Sequence, residues 1–260
     1  MSTPSQKRPN YKAVLFDMDG TLLDTEPLGC QAVYLTMKDL MSSDAKAAFE
    51  ERQYRMEWPL KQQTLGLPDQ QWPPIVLEWA TQHWGVPADQ LPTVQEFLTT
   101  WDHHMFANMH TVGLMPGAAH VVDQLYQAKI PMAIATSSRQ AAVQEKRPRH
   151  EETIFQKISA LVTTDDPAVA KGKPAPDIYL EAARRLGVDD PRACIVVEDG
   201  MTGVLAGKAA GCYVVAIPDA RSTEEERAQF AQHAHVVLDN LSQWDLAEYF
   251  PSVVVQKTEA

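Results

Sequence analysis

The chain is poor in cysteine, in positive charge and in long apolar runs, and each shortage argues against a class of protein. Only Cys30, Cys194 and Cys212 stand among its 260 residues, widely scattered and with no CxxC spacing. Neither a disulfide framework nor a thiolate metal site is encoded, and a reducing cytoplasm is the expected compartment. Cys194 and Cys212 fall in apolar strand-like runs, where a small buried hydrophobe is the natural role for the residue. Lysine and arginine number 23 against 34 aspartates and glutamates, a net charge of −11. That balance argues against a nucleic-acid surface and an anionic membrane surface, so an anionic substrate would need a local positive site. No apolar run is long enough to span a bilayer. The opening MSTPSQKRPN has no apolar segment behind it, unlike a secretory signal. Residues 1–10 and 253–260 are expected to be tails, the first of them disordered, and the protein a monomer.

What is present is ordinary globular material, 45% hydrophobic and 22% charged, without repeats or low-complexity tracts. From about residue 113 strands and helices alternate. Pro116 and Gly117 open a helix carrying Val121, Val122, Leu125 and Tyr126 at helical spacing. The strand PMAIA follows, then the helix PDIYLEAARRLG with Gly187 as its stop, the strand ACIVV, the helix GVLAGKAAG and the strand CYVVAIP. Ser222 and Glu225 have capping-box spacing for a later helix, HVVL is a last strand, and a short helix is expected through LSQWDLAEYF. Strands apolar throughout and separated by amphipathic helices predict an α/β fold, a doubly wound parallel sheet covered on both faces, with AVLF near residue 14 as its first strand. Residues 25–112 break the alternation. They hold five of the six tryptophans, helical stretches such as IVLEWATQHWG and VQEFLTTWDHHMF, and Pro68, Pro73, Pro74, Pro87 and Pro92. The expected organisation is an α/β core of residues 11–24 and 113–252, interrupted by a helical domain of residues 25–112.

Polar residues gather where the predicted strands end. The first strand runs into Asp17, Met18, Asp19, Gly20 and Thr21, and the second into Thr136, Ser137, Ser138 and Arg139. Lys171 and Lys173 precede the second core helix, and a further strand ends in Glu198 and Asp199. Ligands on such sheets sit at the carboxyl ends of strands. Asp17 and Asp19 are two apart, so on an extended chain both side chains point the same way. With Asp199 added, three oxygen donors invite a hard cation, and Mg2+ is the natural candidate. Such a cation offsets carboxylate repulsion and shields an anionic nucleophile from a phosphate, while Lys173 and the Thr136 hydroxyl hold phosphoryl oxygens. Each feature alone has a plainer role: Thr136 and Ser137 as turn or helix-cap residues, Lys173 as a solvated loop lysine, Glu198 and Asp199 as a helix cap. Four such features, each at the end of a strand, favour an active site.

With these residues in hand, the chain resembles the haloacid dehalogenase superfamily of phosphotransferases. The matching stretches are DMDGT, ATSS, GKPAPD and VVEDGMTG, in the family's order and over the whole chain apart from its tails. The insertion falls where one subgroup carries a helical cap. The resemblance implies a phosphatase in which Asp17 is the nucleophile and forms an aspartyl-phosphate. Asp19 would protonate the leaving oxygen and then deprotonate water. It further implies that Thr136 and Lys173 bind the phosphoryl group, helped by backbone N–H groups around Met18 and Ser137, with Arg139 as a further candidate. Asp17, the Asp19 backbone carbonyl and Asp199 would ligate magnesium, with Glu198 beside them. LMPGA, TTDDPAVAKGKPAPDIYLEAARR and IPDA look like the phosphatases of pseudouridine 5′-phosphate and their sugar- and polyol-phosphatase relatives.

A sugar phosphomutase of the β-phosphoglucomutase type shares all four stretches. It would carry a histidine after the first motif and an arginine in a G-x-x-R loop, where this chain has Gly29 and, in GLPD, Asp69. Losing that second-phosphate clamp favours hydrolysis. A receiver domain is shorter and lacks the insertion, and a non-catalytic phosphate-binding protein need not keep Asp19. His103, His104 and His110 in WDHHMFANMH do not have the spacing of a helical metal-ligand pair. Arg52, Arg55 and Lys61 are read as a solvated helix face, and residues 144–152, QEKRPRHEE, as exposed.

Overall fold

The structure, a computed structural model, describes residues 11–41, 46, 49, 58–64 and 70–252. The two expected tails, Arg52, Arg55, Pro68 and Asp69 lie outside the described residues. In chain order, β1 (Ala13–Phe16) and β2 (Leu23–Asp24) precede helices α1 (Glu26–Leu40), α2 (Trp58–Thr64), α3 (Trp72–His83) and α4 (Val94–Asn108). After β3 (Gly113–Leu114) come α5 (Ala118–Gln127), β4 (Met132–Thr136), α6 (Gln140–His150), β5 (Ala160–Thr163) and α7 (Asp177–Arg185). The chain continues through β6 (Cys194–Glu198), α8 (Met201–Ala209), β7 (Tyr213–Ala216), α9 (Glu224–His233) and β8 (Val236–Val237). Two compact units result, one from residues up to Asp24 and from Gly113 onward, the other from Thr25–Val112.

In the first unit six strands pair in the order β5-β4-β1-β6-β7-β8, every pairing parallel. This is the doubly wound α/β sheet that the apolar runs predict. All four residues of β1 and all five of β4 and β6 are buried, as strands covered on both faces must be. Alternate residues Ala13, Leu15, Ala133, Ala135, Cys194 and Val196 share one core cluster with Ile178, Tyr179 and Ala182 of α7 and Val204 of α8. Burial pushes the thiols of Cys194 and Cys212 up to about 11 and about 12, which suits packing and disfavours nucleophilic use. The strand order reverses beside β1. The chain winds from β1 to β4 and β5, then crosses to β6, and this arrangement opens a crevice at the carboxyl ends of β1, β4 and β6. A separate two-stranded ribbon pairs Leu23 with Leu114 and Asp24 with Gly113.

The second unit is helical. Val33, Met37, Leu60, Val76 and Phe97 form its core, with Trp72 packed edge-on against Phe97 at 5.5 Å and Trp101 at 5.1 Å between ring centroids. A full capping box of Thr93 and Glu96 starts α4. Pro73 does not break its helix, because it sits in the first turn of α3, where the missing N–H costs nothing. The His104 Nε2 donates to Asp39 Oδ2 at 2.9 Å, and Lys61 pairs with Glu26 at 3.0 Å.

Several details differ from the sequence expectations. ALVT forms β5, an edge strand that the pattern around its Ser and Thr residues had concealed. Residues 144–152 are exposed only in part: Gln144, Glu145, Pro148, Arg149 and Glu152 face outward, while α6, which ends at His150, buries Lys146 and His150. The capping box of α9 is Thr223 with Glu226, one residue later than Ser222 with Glu225. LSQWDLAEYF makes two 3-10 turns, Leu241–Gln243 and Leu246–Glu248, in place of one helix. Among the described residues no helix is long and apolar enough to cross a membrane.

Phe97→Ala should destabilise the helical unit by about 3–5 kcal/mol, the usual cost of an emptied aromatic site. Five of the six tryptophans lie in this region, so a denaturant titration followed by their fluorescence should show the lowered midpoint. An unchanged midpoint would contradict the packing described.

Candidate active site

Asp17 follows directly on β1, and its N–H still donates to the Val197 carbonyl at 2.9 Å, so the strand delivers its side chain to the end of the sheet. There it meets Lys173, brought in by the loop before α7. The Lys173 ammonium donates to Asp17 Oδ1 at 2.6 Å, Glu198 Oε1 at 2.6 Å and the Ala135 carbonyl at 3.0 Å. All three of its protons thus have acceptors, in a side chain only 4% exposed. Glu198, the last residue of β6, also accepts from the Tyr179 hydroxyl at 2.7 Å and from the Gly200 N–H at 3.0 Å. Asp199 accepts from the Thr21 hydroxyl at 3.1 Å.

Two glycines make this crowding possible. Gly20 turns the chain at φ +87°, and a β-carbon there would lie 2.2 Å from Asp199 Oδ2. Gly203, on the first turn of α8, leaves room for Glu198, whose Oε1 would lie 1.5 Å from an added β-carbon.

The electrostatics follow from burial. Loss of solvent pushes the Asp17 carboxyl up to about 7, against the pull of Lys173 and with a further push from Glu198. Burial likewise holds Asp199 well above the usual carboxylate range, reinforced by Asp17 and Glu198. The Lys173 ammonium is disfavoured by burial, but Asp17 and Glu198 outweigh this and raise it above the normal lysine value. Burial and then the charge of Glu198 keep Tyr179 protonated and able to donate. Asp17, Glu198 and Asp199 each present an oxygen within 4.8 Å of the other two. Three carboxyl groups face one ammonium, so ionising all of them calls for further positive charge, and an all-oxygen donor set of this kind suits a hard divalent cation.

Asp19 faces other partners. Its Oδ1 accepts from Lys146 at 2.6 Å and its Oδ2 from the Ser138 hydroxyl at 2.6 Å, with the Thr136 hydroxyl farther off at 3.5 Å. Its side chain is outside the three-carboxylate cluster, so any part of Asp19 in a cation site falls to its main-chain carbonyl. Thr136 is buried at the end of β4, and its Oγ1 accepts from the Ser138 N–H at 3.0 Å. The Met18 side chain is buried, and its carbonyl accepts from the N–H groups of Leu22 and Leu23. Ser137 and Arg139 are exposed, and Arg139 stands at the N-terminal boundary of α6, where Asp165 accepts from the Gln140 N–H at 2.9 Å. His103, His104 and His110 form no metal-ligand group among the described residues.

The sequence reading placed Thr21 and Ser138 at strand ends and Gly203 within VVEDGMTG without giving them a part in the site, and it missed Lys146 and Tyr179. Ser138 was findable, because it belongs to the polar run directly after β4, where the chain bends and the Ser138 N–H returns to Thr136 Oγ1. Lys146 left a fainter trace, a lysine in register with Ala142, Val143 and His150 on the buried side of α6.

A family model for haloacid dehalogenase-like hydrolases matches residues 11–211. The chain is 35% identical over 216 residues to "(DL)-glycerol-3-phosphatase 2" of Arabidopsis thaliana, covering 82% of each chain. It is 33% identical over 231 residues to "Probable pseudouridine-5'-phosphatase" of Drosophila melanogaster, covering 88% of this chain and 89% of that one. A solved haloacid dehalogenase family hydrolase from Deinococcus radiodurans R1, with bound phosphate and sodium, superposes with a TM-score of 0.69 at 26% identity, covering 92% of this chain and 95% of the other.

Gly203→Ala should displace Glu198 and lower stability by about 1–3 kcal/mol, as overpacking in a dense core does. Chemical denaturation measures the loss, and wild-type stability in this variant would contradict the close approach of α8 to Glu198.

Proposed function

Because the chain belongs to the haloacid dehalogenase-like hydrolases and is a phosphatase of small phosphorylated metabolites, we propose that it hydrolyses a phosphomonoester with magnesium through an aspartyl-phosphate on Asp17. The observation that carries this reading is the buried Asp17 carboxylate held between Lys173 and the pair Glu198 and Asp199. Asp17 attacks phosphorus while the bond to the leaving oxygen breaks, and Asp19 gives that oxygen its proton. Water then attacks the phosphoryl group, Asp19 takes the proton, and the Asp17–phosphorus bond breaks to release phosphate. Asp17, Asp199 and the Asp19 carbonyl would hold the cation, with Glu198 adjoining. When bound, magnesium supplies charge compensation for carboxylates and phosphate meeting at one place. Thr136, the Ser137 N–H and Lys173 steady the phosphoryl oxygens, Lys173 by trading one of its present bonds. The helical unit of residues 25–112 acts as the cap that selects the leaving group, and the names of the relatives point to a polyol or nucleoside monophosphate.

Phosphate release should require magnesium and fall at least about a thousandfold in Asp17→Asn, as removal of a nucleophile does. Equal release from both proteins would sink the reading. A screen of phosphorylated polyols, sugars and nucleosides against the wild type identifies the substrate.

The sign of the pH dependence also follows. Folded, cation-free Asp17 keeps its proton up to about 7, against 3.8 for a free aspartate. The cation-free protein therefore has this contribution to stability in full below the lower value and loses it as pH rises through the higher. A divalent cation must displace that proton. Magnesium affinity by calorimetry should accordingly increase from pH 5.5 to pH 8, and a pH-independent affinity would count against Asp17 as a ligand.

A further inference from the structure

Lys146 has no place in the reading above, yet its surroundings are as specific as those of Lys173. It sits on α6 in register with the buried residues Ala142, Val143 and His150, where the packing would suit an apolar side chain. Its side chain is 4% exposed. A buried ammonium is tolerated only with a close, well-formed partner. Its partners are Asp19 Oδ1 at 2.6 Å and Ser138 Oγ at 3.1 Å. Ser138 Oγ in turn donates to Asp19 Oδ2 at 2.6 Å, so the three side chains close a ring of hydrogen bonds. Each carboxylate oxygen is held by a different donor, and rotation of the carboxylate about its own bond is blocked.

We propose that Lys146 is a positioning residue which, together with Ser138, fixes the Asp19 carboxylate for both of its proton transfers. The inference rests on the reading that Asp19 is the acid and base of an Asp17-centred reaction. Lys146 occupies one lone pair of Asp19 Oδ1, while Oδ2 accepts from Ser138 and, at 3.5 Å, from Thr136, so the second lone pair of Oδ1 stays open to carry the proton. In the first step that proton passes to the leaving oxygen as the phosphorus–oxygen bond breaks. In the second it is replaced from the attacking water as the Asp17–phosphorus bond breaks. Lys146 remains an ammonium throughout, and the proton count closes over the cycle. The two aspartates of DMDGT then have one lysine each, Lys173 for the nucleophile and Lys146 for the proton carrier.

The test compares Lys146→Met, which keeps the stem and removes the charge, with Lys146→Arg and Ser138→Ala, on glycerol phosphate and p-nitrophenyl phosphate with magnesium. Loss of proper acid–base placement should lower kcat on glycerol phosphate about 10²- to 10⁴-fold in Lys146→Met with KM little changed. Nitrophenolate leaves without a proton, so the first step survives on that substrate and the second slows. Rapid mixing should then show a burst of one nitrophenolate per protein, and Lys146→Arg should recover part of the loss. If Lys146→Met does not fold, Ser138→Ala should show the same pattern at smaller size. Wild-type kcat in both variants overturns the proposal. An equal fall on both substrates without a burst and with raised KM also overturns it, and would make Lys146 a phosphate ligand. Loss in Asp17→Asn beside full activity in Lys146→Met defeats this inference alone, whereas no turnover by the wild type defeats both readings.

Discussion

The ammonium of Lys173 is the contact on which the rest of this site depends. It stands between Asp17 and Glu198, two carboxylates that the sheet forces together at its carboxyl edge. With solvent excluded, charges at such distances interact far more strongly than they would in water, and unopposed like charges would push the strand ends apart. The surrounding details serve this arrangement. The Ala135 carbonyl takes the third lysine proton, the Tyr179 hydroxyl supports Glu198, and the lysine lies over the Tyr179 ring at 5.1 Å from its centroid. Fixing Glu198 from several sides requires the α8 backbone to approach closely, which only a glycine at 203 permits.

A second consequence is that the two aspartates of DMDGT, though two residues apart, live in different fields. Asp17 shares a buried cluster with Glu198 and Asp199 and is pushed upward, whereas Asp19 turns to Ser138 and Lys146. The charge of Asp19 still adds to the upward push on Asp17, but the fold gives each its own counter-charge, and that difference lets neighbouring carboxylates take unlike chemical parts.

Much of the sheet was legible because burial on both faces demands unbroken apolar runs, and AVLF, MAIA and CIVV are such runs. Asp17, Thr136, Glu198 and Asp199 were legible as polar residues placed where those runs stop, and Lys173 as a lysine in the loop before a core helix. The ring around Asp19 was not. Lys146 sits in QEKRPRHEE, whose dense charge reads locally as a solvated face, and its partner is 127 residues away. Tyr179 sits among helix formers and reads as core, which it is, but its hydroxyl has a partner that only the sheet order supplies. Periodicity reports which side of an element is covered. It says nothing of which distant polar atom awaits a buried donor.

The ribbon of β2 and β3 has an evolutionary consequence. The chain leaves the sheet unit at Asp24 and returns at Gly113, residues paired across the ribbon. To the sheet, everything between them is one loop whose ends are already joined, and the entropy of closing a loop grows only slowly with its length. Such a segment can be lengthened, shortened or exchanged wholesale while β1 and its carboxylates keep their register. One chemical apparatus could thus be passed among substrates by trading the insert alone.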